Sequence, residues 1–328
     1  GKLIQNLVDL GHAVIAMSSD TDMDSRNEIE KLGCQLITYP IDRTGLNPLS
    51  DIKTFNFFLK TFKLNKPDII LAYTIKPVIW GGIAAYVVKK LYKFSLENSA
   101  GVIFQNNDNR NTFVNEKLVK ADKTHTVSGS GVDIQNYKES IFPDGNFVFL
   151  TIARLLGDKG LREYAKAALI VKNKYPKVTF QLVGPEDSSP DGIAITEIID
   201  WQNKGLIEYL GSTKDVRPFI QNCHVFVLAS YHEGMPRTVL ESMSMGRPIL
   251  TTNVAGCRET VEIGINGYLV PKANAVLLAE KMVWFIENED QLDIMGKKSR
   301  EIAVEKFDVN NVNENIIKIL GCQNKKEK

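Results

Sequence analysis

Two short stretches of the 328-residue chain combine residue types that can do chemistry. In Arg154-Leu-Leu-Gly-Asp-Lys159-Gly160, two cations stand five apart with a glycine between them and another after. Arg offers a planar fork and Lys a point charge, a combination suited to a pyrophosphate; an ordinary basic loop is the plainer reading. In Ser230-Tyr-His-Glu233-Gly-Met-Pro236, a loop leads into a helical pattern through Glu241. Pro236 suits the first helical position, where its missing N–H breaks no bond, and Gly234 lets backbone approach a ligand closely. Free N–H groups at that helix start suit a phosphate. Glu233 is either a partner for the helix dipole or an acceptor for sugar hydroxyls. Glu241, four residues after Arg237, is either half of a surface pair or an acceptor for a ribose. Cations and an anion-ready helix end at one crevice edge favour a nucleoside diphosphate.

These residues need a frame that holds them side by side. Helices are expected over residues 2–10, 24–32, 51–62, 77–88, 109–119, 161–174, 193–202, 216–221, 236–245, 275–286, 291–304 and 309–320. Strands are expected over 13–17, 35–39, 68–72, 102–105, 125–127, 147–153, 178–183, 207–210, 225–229, 249–252 and 268–270. Strands alternating with helices imply βαβ units and parallel sheets. Continuous Val/Ile/Leu strands imply sheets covered on both faces. The aperiodic stretch 136–146, with Pro143 and Gly145, reads as a linker between two Rossmann-like domains, 1–135 and 146–306. Helix 308–321 is expected to return to the first. In open α/β sheets ligands sit beyond the carboxyl ends of strands, which is where both stretches fall.

Neither GxGxxG nor GxxxxGK[ST] occurs, which disfavours a nicotinamide enzyme and a P-loop NTPase. GxSxG is missing as well. Cys34, Cys223, Cys257 and Cys322 form no CxxC pair, and with four histidines they show no metal-ligand spacing; reduced thiols in a cytoplasmic protein are expected. The apolar run Val78–Val88 falls short of the roughly 20 residues of a membrane span. A net charge of +1 argues against a duplex nucleic-acid binder. That sum hides an asymmetry: residues 1–51 carry four cations against eight acids, and residues 52–123 twelve cations against five. The basic block either attracts anionic head groups or is a solvated surface.

Arg154…Lys159-Gly160 with Glu233-Gly-Met-Pro…Glu241 resembles the signature of family 4 glycosyltransferases, whose mark is the Glu-x7-Glu spacing. Supporting matches are Gly129-Ser130-Gly131-Val-Asp133, Leu182-Val-Gly184, Tyr209-Leu-Gly211, Gly256-Cys-Arg-Glu-Thr-Val261 and Asn266-Gly-Tyr-Leu-Val-Pro271. Gly45-Leu-Asn-Pro48 and Tyr73-Thr-Ile-Lys76-Pro77 resemble the PglA-like, capsule and O-antigen enzymes that extend polyprenyl-diphosphate sugars. The resemblance implies an α/β GT-B fold, with two Rossmann-like domains facing each other across a cleft. It implies retaining transfer of a hexose, N-acetylated in this group, from a UDP-sugar to a lipid-linked sugar at the inner face of the plasma membrane, with no metal or other cofactor.

Carried over by position, Arg154 and Lys159 would hold the donor diphosphate, and Glu233 the hydroxyls of the transferred sugar. The backbone of Gly234, Met235 and Pro236 would form that sugar's polar edge, Thr238 would belong to the donor site, and Glu241 would bind the ribose. Gly184 and Gly211 to Val216 would border the uracil. Lys76, Gly129, Ser130 and Gly131 would stand on the acceptor side; for Lys76 a plain surface lysine is the other reading. His232 has no matching role and is expected to be structural. Two alternatives share the fold: a UDP-sugar 2-epimerase, and a non-catalytic subunit that binds nucleotide sugar. The chain opens on a helix where the family opens on a strand, and residues 84–96 lack a family loop, so a leading strand and a loop near 88–93 are expected to be absent from this sequence.

Overall fold

The computed structural model describes residues 1–18, 23–39, 48–71, 93–94, 96–97 and 99–322. Contacts divide the chain into two compact units. Gly1–Val102, Phe113–His125 and Asn313–Lys328 form the first; Ile103–Thr112 and Thr126–Val312 form the second.

In the first unit, Leu3, Leu7 and Leu10 recur at helical spacing, and Lys2–Asp9 is helix α1. Strand β1 (Ile15–Ser18), helix α2 (Met23–Lys31), strand β2 (Gln35–Thr38) and helix α3 (Pro48–Asn65) follow. β1 and β2 pair in parallel from Ile15↔Gln35 to Ser18↔Thr38, as a crossover helix between strands requires. Tyr39 and Phe62 both pack on Phe58, at ring distances of 4.8 and 5.8 Å. Residues 68–71 form no strand, against expectation: Ile69 and Ile70 are exposed and no ladder holds them. The expected helix 77–88 lies outside the described residues. Strand β3 (Val102–Phe104), helix α4 (Asn107–Asn115) and strand β4 (Thr124–Thr126) come next in the chain and are divided between the two units. α4 ends earlier than its apolar pattern suggests because Lys117 takes φ +56, a left-handed turn that stops a helix.

The second unit is built on six strands, and their apolar runs demand burial on both faces. After β5 (Val148–Ile152) come α5 (Leu161–Lys172), β6 (Thr179–Val183), α6 (Ile195–Asn203), β7 (Glu208–Tyr209) and α7 (Arg217–Gln221). Then follow β8 (Val225–Leu228), α8 (Arg237–Ser244), β9 (Ile249–Thr252), β10 (Gly267–Val270), α9 (Ala275–Glu287), α10 (Leu292–Phe307) and α11 (Val309–Ile319). Neighbouring side chains part to opposite faces: Phe149 and Val227 join one apolar cluster, Leu150 and Phe226 the other. α5 turns Leu161, Tyr164, Ala168 and Val171 to the core, and the Tyr164 hydroxyl donates to Phe149 O at 2.9 Å.

All strand pairs are parallel, in the order β10-β9-β8-β5-β6-β7. The direction of winding reverses between β5 and β8, which makes their carboxyl ends the switch point of a doubly wound sheet. The stretch 136–146 is irregular but not loose. Buried Arg247 donates to Ser140 O (2.9 Å) and Ile141 O (2.9 Å), and Arg300 to Tyr137 O (2.9 Å). Arg247 and Arg300 thus fix the segment by its carbonyls.

Gly160 sets the turn from β5 into α5. Its φ of +66 is left-handed, and a Cβ there would collide with the carbonyl of Ala229 after β8. Glycine alone meets both demands. Gly160→Ala is expected to lower stability by about 2 kcal/mol, read as a lower urea midpoint at unchanged slope.

Candidate active site

The loops after β5 and β8 are stitched together by backbone. The Tyr231 N–H donates to Asp158 O at 2.7 Å, and the Ser230 hydroxyl to the same oxygen at 3.2 Å. From β9, the Thr252 hydroxyl donates to Ser230 O. These bonds bring together two side chains 74 residues apart: Lys159 Nζ meets Glu233 Oε1 at 2.7 Å. The side chains are 16% and 15% exposed. Charges this far from water persist only when paired. The pair therefore stores an ammonium and a carboxylate at the switch point. A phosphate oxygen arriving there competes for the ammonium and frees the carboxylate for hydroxyls.

The other expected cation is arranged differently. Arg154 Nη1 donates to Asp187 Oδ2 at 2.6 Å, with the arginine side chain 60% exposed. Hydrogen bonds from Ser189, and then the Arg154 charge, hold the Asp187 carboxyl below its ordinary range. Arg154 and Lys159 are thus not joined around one vacancy; each has its own carboxylate. Arg154 sits in water, where turning from one anion to another meets little resistance.

Pro236 does not occupy the first helical position. It is the N-cap of α8, extended at ψ 108, and its carbonyl accepts from Val239 N and Leu240 N. The Arg237 and Thr238 N–H groups are then the ones without an intrahelical acceptor. Gly234 is packed where a side chain would not fit: a Cβ would press on Gln105 Oε1. Asn106, 2% exposed, donates from Nδ2 to Gly234 O at 2.7 Å and accepts from Asn109 N at 2.8 Å. Sequence reading missed Asn106. Its only signal was its place just beyond the carboxyl end of a strand.

Glu241 does pair with Arg237, but from a buried position and not at the surface. Their contact is 3.4 Å, and the carboxylate side chain is 8% exposed. Burial raises its pKa, while Arg237 and a hydrogen bond from Tyr137 pull the other way. Tyr137 in turn is pushed up to about 12, by burial first and by the Glu241 charge second. Gly184 follows β6, where a Cβ would strike Ala153 O, and its N–H donates to Gly211 O at 2.8 Å. Val216 caps α7. Gly129 lies against Met235, and Gly131 against Val309, with Ser130 exposed between them. Lys76 lies outside the described residues, as do residues 45–47 and 73–77 of the two resembling motifs and residues 88–92 of the junction near 88–93. His232, expected to be structural, is exposed and lines an open cleft.

Residues 146–288 match the family described as glycosyl transferases group 1. The chain is similar to the N,N'-diacetylbacillosaminyl-diphospho-undecaprenol alpha-1,3-N-acetylgalactosaminyltransferase of Campylobacter jejuni, 27% identical over 335 residues, covering 89% of this chain and 87% of that one. It is also similar to the UDP-Gal:alpha-D-GlcNAc-diphosphoundecaprenol alpha-1,3-galactosyltransferase of Escherichia coli, 26% identical over 304 residues, covering 81% of this chain and 78% of that one. Among solved structures, Anabaena Alr3699/HepE in complex with UDP-glucose matches with a TM-score of 0.77 at 20% identity, over 97% of this chain and 94% of that chain. The chain is a glycosyltransferase, and its fold class is GT-B.

In this glycosyltransferase the buried Glu241 makes a signed prediction. With the folded pKa raised above 4.5, the folded chain keeps a proton that the unfolded chain has released. Stability then falls as pH rises from about 4.5 through the raised value and stays low beyond it. Glu241→Gln is therefore expected to melt higher than the parent protein at pH 7.5, the advantage shrinking towards pH 4.5. Parallel melting curves across that range would contradict a buried, burial-strained carboxylate.

Proposed function

We propose that this protein is a retaining glycosyltransferase that moves an N-acetylated or related hexose from a UDP-sugar to a polyprenyl-diphosphate-linked sugar. The observation that carries this reading is the half-hidden Lys159–Glu233 pair at the switch point, beside the open start of α8. The donor diphosphate takes Lys159 from Glu233, and Arg154 turns from Asp187 to the same phosphates. Glu233, released, accepts hydrogen bonds from the hydroxyls of the transferred sugar. Gly234 to Pro236 and Thr238 border that sugar. Glu241 accepts from the ribose, and Gly184 with Gly211 to Val216 flanks the uracil.

As the C1–O bond to the diphosphate breaks, its electron pair leaves on the phosphate oxygen. The two cations stabilise that charge as it grows, with no metal needed. The acceptor hydroxyl forms the new C1–O bond, and its proton passes to the departing phosphate. Both named relatives are transferases whose names specify undecaprenyl-diphosphate-linked sugars, which supports transfer over epimerisation.

No helix among the described residues is long and apolar enough to cross a membrane. The reading places the enzyme at the cytoplasmic face as a peripheral protein. The twelve cations of 52–123 and the exposed Leu64, Ile69, Ile70 and Phe94 in the same stretch support that location: basic groups attract anionic lipid and apolar side chains enter the interface. Lys76, in that stretch, is proposed to meet the acceptor diphosphate, with Gly129, Ser130 and Gly131 on the acceptor side.

Purified protein with a panel of UDP-sugars and a polyprenyl-diphosphate-linked N-acetylhexosamine is expected to release UDP only when both substrates are present. Lys159→Ala is expected to lower kcat by about 10²-fold or more. Conversion of the UDP-sugar without acceptor, or full activity in the variant, would contradict the proposal.

A further inference from the structure

The sheet that positions Lys159 and Glu233 also shapes an open cleft of about 560 Å³ on the far side of Glu233. Its walls come from the segments after β9 (Asn253, Val254) and at the end of β10 (Pro271), from the β8 loop (Tyr231, His232), and from Asp108 and Arg258. The size falls in the range of small-molecule sites. We propose that this cleft is the subsite for the acceptor's sugar, an inference that rests on the transferase reading.

The chemistry of the lining points to a hydroxylated, uncharged group. Arg258 Nη1 is already bound to Asp108 Oδ2 at 2.8 Å, and its Nη2 donates to Asn253 O at 3.0 Å. The ion pair offers donors and acceptors side by side with no net charge. A diphosphate entering there would meet the Asp108 carboxylate, whereas sugar hydroxyls pair with both partners. Asn253 and His232 add exposed amide and imidazole groups. Val254 and Pro271 give an aliphatic wall for the C–H face of a pyranose, and Tyr231 an aromatic edge.

The strand order supplies the second argument. Along the sheet, β7 and β6 precede β5 and β8, and β9 and β10 follow, each step about 4.8 Å. The uracil border (Gly211, Gly184) lies past β7 and β6, and the diphosphate pair past β5 and β8. The cleft lies past β9 and β10. Base, diphosphate, transferred sugar and acceptor sugar then occupy successive stations along one sheet edge. The β8 loop is the hinge of this arrangement: His232 lines the cleft while its neighbour Glu233 meets Lys159. This cleft also gives the exposed His232 a role.

The test is steady-state kinetics on the full chain with a saturating UDP-sugar and a short-chain polyprenyl-diphosphate-linked N-acetylhexosamine. The variants are His232→Ala, Asn253→Ala and Asp108→Ala; His232 and Asn253 are exposed, so their removal spares the core. The acceptor KM is expected to rise about tenfold or more, with donor KM and the melting shift produced by UDP unchanged. A twofold or smaller change in acceptor KM for all three variants overturns the subsite while leaving the transferase reading intact. A rise in donor KM instead assigns the cleft to the donor and overturns the proposal. So does a rise confined to Lys272→Ala, the cation on the rim, which would mark a phosphate subsite. No transfer by the parent protein overturns both readings.

Discussion

An ammonium and a carboxylate drawn partly out of water must stay within hydrogen-bond reach of each other, and the switch-point edge of this protein's parallel sheet is organised around one such pair. Lys159 and Glu233 are 2.7 Å apart, yet they arrive from loops after different strands. Holding them there takes a left-handed glycine at 160, a backbone bond from Tyr231 to Asp158, and an anchor from Thr252 to Ser230. It also takes Asn106, which grips the Gly234 carbonyl from a remote segment of chain. Each of these is a bond or close approach that a looser loop would not need.

The parallel sheet makes the rest economical. Because its winding reverses between β5 and β8, the loops there diverge and leave a crevice with helix starts around it. The buried Glu241, with its raised pKa, shows the tension in such a site. A glutamine would sit more comfortably in the fold, but it replaces one of the two acceptor oxygens of a carboxylate with a donor NH2. Sites that bind charged or hydroxylated ligands commonly keep such groups at some loss of stability.

The second unit was legible in the sequence because its signals are local. Val225–Leu228 is an unbroken apolar run, Val148–Ile152 is interrupted only by Thr151, and the helices between them repeat at three and four residues. The loop chemistry of Arg154, Lys159, Glu233 and Glu241 could be read from residue type and from position after strands. Pairings were not legible. No pattern tells that Lys159 meets Glu233 while Arg154 meets Asp187, since both depend on side-chain reach across loops. Asn106 and Asp108 were missed for the same reason: their partners, Gly234 and Arg258, lie more than a hundred residues away. Residues 68–71 failed as a strand because an apolar run forms one only where a ladder awaits it. The stretch 136–146 looked like a linker because carbonyls bound by Arg247 and Arg300 leave no periodicity.

The central claim is that the Lys159–Glu233 pair is a donor site at rest, with the ammonium given up to phosphate and the carboxylate kept for the sugar. Calorimetric titration of UDP into the parent protein, Lys159→Ala and Glu233→Gln tests this most directly. UDP lacks the sugar, so only the ammonium should matter to it. The account predicts at least tenfold weaker binding for Lys159→Ala, a loss of about 1.4 kcal/mol or more, and equal or tighter binding for Glu233→Gln. Equal weakening in both variants would show that the pair is a structural brace, and would contradict the account.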